Sequence, residues 1–300
     1  MTNSDNLTWL EKVARLNVYR AKGGPAPHKP LLLLLVLELA EKGELGSALL
    51  LTPELAFRFA TFYSVVAHRR SQRPDVRMPF YHLQSEGLWR SLDERGQPAA
   101  HYRQAHAAAL DPDFLRFATD AGGRDQARRL LVAKYFQSVE RPGLYALLGM
   151  AVPSDEQIVA DGLIAQASAA QMRGRVARFR LDVVAAYNYS CALTGLRLTT
   201  ITVGSIVDAA HIHQFAKSRN NDPRNGMALC KNAHWLFDNG LWSLDDDYSV
   251  LVARHRFSED APDQKSLTAY AGERIRLPSA ESLWPDRKCL AWHRKHTFQG

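Results

Sequence analysis

Hydrophobic and polar positions alternate differently along the two halves of this chain. Over residues 7–20 (LTWLEKVARLNVYR) apolar side chains recur at helical spacing, which predicts a first helix. The loop AKGGPAPHKP, with two glycines and three prolines, breaks that pattern. A leucine run follows at residues 31–37, closed by Glu38 and Glu41. It is far shorter than the ~20 residues of a membrane span and reads as a buried helix. Pro30 suits its first turn and Gly43 its C-terminal end. Residues 53–67 predict another helix, with Leu55, Phe59, Phe62 and Val66 on one face. The stretch LQSEGLWRSL predicts a short hairpin, and residues 103–118 and 124–136 predict two more helices.

From about residue 151 the composition turns polar and rich in Ala and Gln, ending in Arg173, Arg175, Arg178 and Arg180. This tract reads as a helical linker over residues 151–178, between a first domain over 1–150 and a second over 179–300. The second domain opens on a helix, FRLDVVAAYN, that leads to Cys191. Neither repeats nor low-complexity tracts interrupt the chain. The expected class is α+β: a helix-rich N-terminal domain joined to a small mixed C-terminal one.

Composition narrows the possibilities. The chain has 300 residues, 46% of them hydrophobic, so each half can bury a core. A net charge of +7 is a moderate excess that most often reflects a solvated basic surface. It favours a polyanionic partner only when a matching site accompanies it. Three scattered cysteines, Cys191, Cys230 and Cys289, are too few for a disulfide framework and point to a reducing compartment. The N-terminus lacks the basic-then-apolar pattern of a secretory signal, so a soluble, cytoplasmic protein without membrane association is expected.

The chemistry concentrates in VDAAHIHQFAKSRNNDPRNGMALCKNAHWLFDNGLWSL. His211 lies in a short apolar run that reads as a strand, Asn225 follows in a Pro/Gly-rich loop, and His234 and Asp238 stand four apart in a helical pattern. Cleavage of a phosphodiester needs a base for water, neutralisation of phosphate charge and help for the departing oxygen. His211 is the candidate base, with His213 its nearest rival on the same strand face. His234 and Asp238 would aim at one divalent ion, and Asp208 is a further candidate ligand from the strand side. Asn225 cannot titrate, so its amide would hold the loop or orient His211. Trp235, Phe237 and Trp242 are expected in the small core.

The segments CALTGLRL, DAAHIHQF and NGMALCKNAHWLFDNGLWSLDDDYSV, over residues 187–252, closely resemble the HNH endonuclease family. The resemblance implies a ββα-metal fold in which His211, Asn225 and His234 are the three signature residues and His234 is a metal ligand. Two departures stand out. Ala210 occupies the position before the base, where many members carry an acid or a histidine. Cys191 and Cys230 are followed three positions on by Thr194 and Ala233, so a structural zinc held by two CxxC pairs is not expected. Magnesium or manganese is the expected catalytic ion, with other transition metals able to enter the site.

The first half carries two further signals. His28 and Lys29 stand at a helix N-terminus, where backbone amides attract anions, and a basic stretch from His68 through Arg73 to Arg77 runs into Met78-Pro79-Phe80-Tyr81-His82. The segments YRAKGGPAPHKPLLLLL and RPDVRMPFYHLQSEGLW resemble the sulfur-binding domain of McrA-type type IV restriction endonucleases. That resemblance implies recognition of double-stranded phosphorothioate DNA. Met78, Pro79 and His82 would line a sulfur pocket, with His28, Lys29 and Arg103 around the phosphate. Arg73 and Gln84 are candidates for base or backbone contact. The expected activity is a modification-dependent restriction endonuclease, possible as a homodimer. The alternatives are an HNH nuclease directed to methylated DNA and a catalytically inactive DNA-binding regulator.

Overall fold

The first helix is shorter at its C-terminal end than its pattern predicts. In the computed structural model, which describes residues 3–21, 24–67, 73–151, 161–202 and 204–300, α1 runs over Asn3–Ala14. The Tyr135 hydroxyl supplies the next turn's bonds: it accepts from Leu16 N at 2.9 Å and donates to Val13 O at 3.0 Å. Two-residue strands β1 (Arg20–Ala21) and β2 (Gly24–Pro25) then pair antiparallel.

The leucine run lies in α2 (His28–Glu41), and its residues 30–40 are all buried. A helix apolar on every side needs neighbours on every side. α3 (Pro53–Val66), α4 (Arg77–His82), α5 (Pro112–Thr119) and α6 (Ala121–Tyr135) all pack against it. Lys42 and then Gly43, at φ 69°, end α2 as expected. Glu38 is 2% exposed, yet Arg178 reaches its Oε1 at 2.7 Å and Lys42 at 3.2 Å. Burial of that carboxylate is tolerable only because cations accompany it.

Two expectations in this half are corrected. The stretch LQSEGLWRSL does not form a hairpin. Leu83–Glu86 is a 3-10 turn, and β4 (Trp89–Leu92) pairs with β5 (Ala107–Leu110), which in turn pairs with β3 (Ala48–Leu50). The helix predicted over 103–118 is therefore β5 followed by α5. The alanine-rich segment is claimed by sheet pairing on both edges, against its local helical preference. Asp111 then starts α5 by accepting from the Asp113 and Phe114 amides. α7 (Arg141–Leu147) completes this half, and α8 runs over Asp161–Ala186. Residues 68–72 of the basic stretch and 152–160 of the linker lie outside the described residues.

The chain divides into two compact units, residues 1–178 with 200–204, and residues 179–199 with 205–300. Short strands β6 (Thr199–Thr200) and β7 (Gly204–Ser205) pair between α8 and the hairpin that dominates the second unit. That hairpin is β8 (Val207–His211) with β9 (Gly226–Cys230), antiparallel, with His211 opposite Gly226. The short helix α9 (Phe215–Ser218) and a Pro223–Asn225 3-10 turn lie in the connection. α10 (Lys231–Asp238) follows β9, then the β10 (Trp242–Leu244) and β11 (Val250–Val252) ladder, and α11 (Arg287–His296). Trp242 and Phe237 are buried, but Trp235 is 62% exposed, so it does not belong to the core as expected. Its position on the short α10 faces away from the apolar stripe that carries Ala233 and Phe237. Among the described residues no helix is long and apolar enough to cross a membrane.

Gly226 has an ordinary extended backbone but no room for a side chain. A Cβ there would stand 2.6 Å from Phe179 Cζ and 2.6 Å from Val183 Cγ2. Gly226→Ala is expected to lower the stability of the second unit by about 1–3 kcal/mol through overpacking. Thermal unfolding of the variant checks this; an unchanged midpoint would show that Phe179 can move aside.

Candidate functional sites

The space kept open at Gly226 is filled by the α8 residue Phe179, whose ring stacks on His211 at 3.9 Å between centroids and 10° between planes. Paired residues of an antiparallel ladder project to the same face, so a side chain at 226 would compete for this place. Phe215 flanks His211 at 5.3 Å. The His211 Nε2–H donates to Asn221 Oδ1 at 3.0 Å, which leaves the lone pair of the neutral ring on Nδ1. Desolvation by these aromatic neighbours holds the imidazole below its usual pKa. The Asn221 bond opposes that shift, His234 adds to it and Asp238 opposes it. His211, His234 and Asp238 thus act on one another electrostatically. His234 Nε2 and Asp238 Oδ2 are 3.3 Å apart on consecutive turns of α10, as their spacing implies.

Asn225 is fully buried, and its amide is saturated by main chain. Oδ1 accepts from His213 N at 2.8 Å, and Nδ2 donates to His213 O at 3.0 Å and to Asn220 O at 3.1 Å. Its own carbonyl accepts from Ile212 N at 2.9 Å. Asn225 therefore holds the loop, whereas Asn221 orients His211. The sequence hinted at Asn221 only through the polar cluster NND before Pro223.

Asp208 is placed differently from a metal ligand. Its Oδ1 is 2.7 Å from Arg180 Nε, and its Oδ2 is 3.5 Å from Lys231 Nζ. Strand alternation also puts positions 208 and 211 on opposite faces of the hairpin. Among the described residues no group of three or more His, Cys, Asp and Glu side chains is arranged to hold a metal ion. His234 and Asp238 supply two donors. Hard divalent ions commonly take one or two protein ligands and complete their shell with water and substrate phosphate, so this pair fits such an ion.

A second candidate site lies in the first unit. Asn17, Val18, Tyr19, Ala26, His28, Lys29, Pro79, His82 and Ser85 line a cleft of about 280 Å³. The His28 Nε2–H donates to Arg73 O at 3.1 Å, and its ring lies 5.2 Å from that of Tyr63. Lys29 Nζ is 2.5 Å from Glu86 Oε1, which also accepts from Asn17 N at 3.2 Å. Four of the predicted residues, His28, Lys29, Pro79 and His82, meet here. Met78 is 41% exposed and, like the Arg73 and Arg103 side chains, is not part of the lining. Arg103 Nε instead donates to Tyr102 OH at 3.2 Å, and Gln84 Oε1 accepts from Ser91 N at 3.3 Å.

Residues 191–245 match the family described as HNH endonuclease, and residues 6–152 match the family described as ScoMcrA-like, DNA sulfur-binding domain. The chain joins a DNA sulfur-binding domain to an HNH endonuclease domain. No curated protein matches it significantly. Two solved structures are similar in part. One is the modification dependent TagI restriction endonuclease, at 20% identity and a TM-score of 0.30, over 39% of this chain and 36% of that one. The chain thus spans about a third of that relative's length. The other is the sulfur binding domain of SprMcrA complexed with phosphorothioated DNA, at 24% identity and a TM-score of 0.39, over 52% of this chain and 99% of that one.

In the sulfur-binding domain, sequence reasoning missed Asn17, Val18, Tyr19, Ala26 and Ser85 as cleft residues. Helical spacing carried the first helix through residues 17–19, which hid the turn that presents Tyr19, 73% exposed, at the rim. In the HNH domain the matched region typically uses a divalent metal. Asn225→Ala should leave the His213 amide and two carbonyls without partners and cost about 3 kcal/mol. The variant should also lose nuclease activity, as measured by unfolding and cleavage assays. Full stability in Asn225→Ala would overturn the clamp.

Proposed function

We propose that this protein is a modification-dependent restriction endonuclease. Its first domain docks on duplex DNA carrying a phosphorothioate, and its HNH domain hydrolyses a phosphodiester nearby. The observation that carries the reading is the convergence of His28, Lys29, Pro79 and His82 on one cleft of the sulfur-binding domain. Sulfur is larger and less strongly hydrated than oxygen, so an apolar wall such as Pro79 with Val18 favours it over an oxygen. The phosphate retains its charge, which suits the first-turn amides of α2 and the Lys29 ammonium. Glu86 holds that ammonium in place at 2.5 Å.

In the HNH domain His211 takes the proton from the attacking water through the nitrogen that Asn221 leaves free. Phe179 stacks on the ring and fixes its plane. His234 and Asp238 are the residues that would hold the divalent ion, magnesium or manganese. When bound, that ion neutralises charge on the phosphate and on the departing oxygen. Asp208, bonded to Arg180 and Lys231, instead anchors β8 to α8 and α10.

Three matched duplexes test the reading with manganese present: unmodified, methylated and phosphorothioated. Cleavage confined to the sulfur-bearing duplex is expected. Cutting of the methylated duplex alone would favour a base-directed nuclease, and binding without cutting would favour an inactive regulator. His211→Ala should bind the sulfur-bearing duplex normally while cutting falls roughly 10²–10⁴-fold.

A pH profile tests the role of His211 separately. A base must be neutral, and its pKa is held below the ordinary 6.5, so activity should persist below that pH and fall as pH drops through the lowered value. Asn221→Ala removes a bond that favours the protonated ring and should move the acidic limb of kcat/KM further down. A limb at or above the ordinary imidazole value would exclude His211 as the base.

A further inference from the structure

The C-terminal helix α11 lies beyond the matched HNH region, yet it is built into the edge of the nuclease site. Its Trp292 ring stacks on His213 at 4.0 Å and 19°. His213 is the residue whose backbone Asn225 grips, and its carbonyl also accepts from Ser218 Oγ at 3.2 Å. One residue therefore joins the catalytic loop, the segment around α9 and α11. The start of α11 is tied to the same loop, because Asp286 N donates to Arg224 O at 2.9 Å. Its buried His293 stacks on Phe237 of α10 at 3.8 Å.

The cations of α11 divide into two sets. Both arginines are committed to the β10–β11 connection. Arg287 Nε donates to Asp246 O at 3.1 Å, and Arg294 bonds Leu244 O at 2.7 Å and Asp246 Oδ1 at 2.6 Å. Lys288 and Lys295 are exposed, and among the described residues neither has a carboxylate partner. They share a helix face with Trp292, at spacings of four and seven from Lys288. Lys217 and Arg219, in and just after α9, are also exposed and form no ion pair among the described residues. Arg219 also lies over the Phe215 ring at 5.5 Å, while the acids of these segments are engaged, Asp222 by Arg224 and Asp286 by the Lys288 amide. Four cations without an ion-pair partner among the described residues, two of them on a helix fixed to the catalytic loop by an aromatic stack, have the chemistry of a phosphate-backbone reader.

We infer that Lys288 and Lys295 of α11, with Lys217 and Arg219, form a DNA-backbone contact surface of the nuclease domain that is independent of the sulfur mark. This rests on the nuclease reading above and adds to it a second grip on the duplex. The sulfur-binding domain chooses the molecule, and this surface seats the backbone against the His211 site. Trp292 is a positioning residue that keeps α11 against His213.

The test uses the full chain with Lys288→Glu and Lys295→Glu combined, both exposed positions where folding should be unaffected. Binding to matched phosphorothioated and unmodified duplexes is measured across a salt series, in the His211→Ala background so that nothing is cut. Each lost phosphate contact lowers the slope of log affinity against log salt by about 0.9, so the double variant should lose roughly 2. Preference for the sulfur-bearing duplex over the unmodified one should be unchanged. With His211 restored, cutting at about 0.15 M salt should slow by roughly tenfold, through KM more than kcat, with the thermal midpoint unchanged. Trp292→Phe should retain most cutting and Trp292→Ala should lose it, as expected of a ring that positions a helix. An unaltered salt slope and cutting rate in the double variant would overturn the inference. If the wild-type chain cuts no duplex, the nuclease reading fails, while the salt slope still decides whether this surface holds DNA.

Discussion

The buried amide of Asn225 is the constraint from which the nuclease site follows. A primary amide offers two donors and an acceptor, and here every bond goes to main chain of the loop that closes the β8–β9 hairpin. Burying such a group without partners would cost more than the bonds contribute, so the loop has one low-energy course. That course delivers Asn221 to the His211 ring and turns the His213 ring outward onto Trp292. The Asn221–His211 bond and the His213–Trp292 stack thus both follow from one satisfied side chain.

Aromatic packing sets the second condition. Phe179 lies flat on His211 because Gly226, opposite on the partner strand, carries no side chain. The same ring desolvates the imidazole and keeps it neutral at lower pH, which is the state a general base needs. On the other side of α10, His293 stacks on Phe237, and burial lowers its pKa to about 4. These two of the second unit's ring-stacked imidazoles thus have different outcomes: His211 keeps polar company with Asn221, and His293 is sealed in the core.

Recognition and cleavage draw on different physics within one chain. The sulfur-binding domain presents a small cleft where an apolar wall meets a helix N-terminus and a lysine restrained by Glu86. The HNH domain presents a helix with an imidazole and a carboxylate one turn apart, coupled electrostatically to the desolvated imidazole of His211. Neither arrangement needs the other's chemistry, which is why each was visible as its own motif.

Local spacing was enough to find the buried leucine helix and to bring out His211, Asn225, His234 and Asp238 as candidates, and the resemblance added His28, Lys29, Pro79 and His82, which the structure gathers at one cleft. For the leucines of α2 and for His234 with Asp238 on α10 the information is short-range, because one helix carries them all, whereas His28 with Lys29 and Pro79 with His82 come together from α2 and α4, a grouping that the resemblance had implied. Sequence reasoning misjudged the segments whose state depends on distant partners. The alanine-rich residues 107–110 became a central strand because β3 and β4 flank them, and the first helix stopped at Ala14 because Tyr135 caps it. The sequence alone also left the fate of each polar group open. Asp208 met Arg180, Asn221 met His211, and Trp235 was left in solvent, since which side chains face one another across elements is decided only when those elements pack.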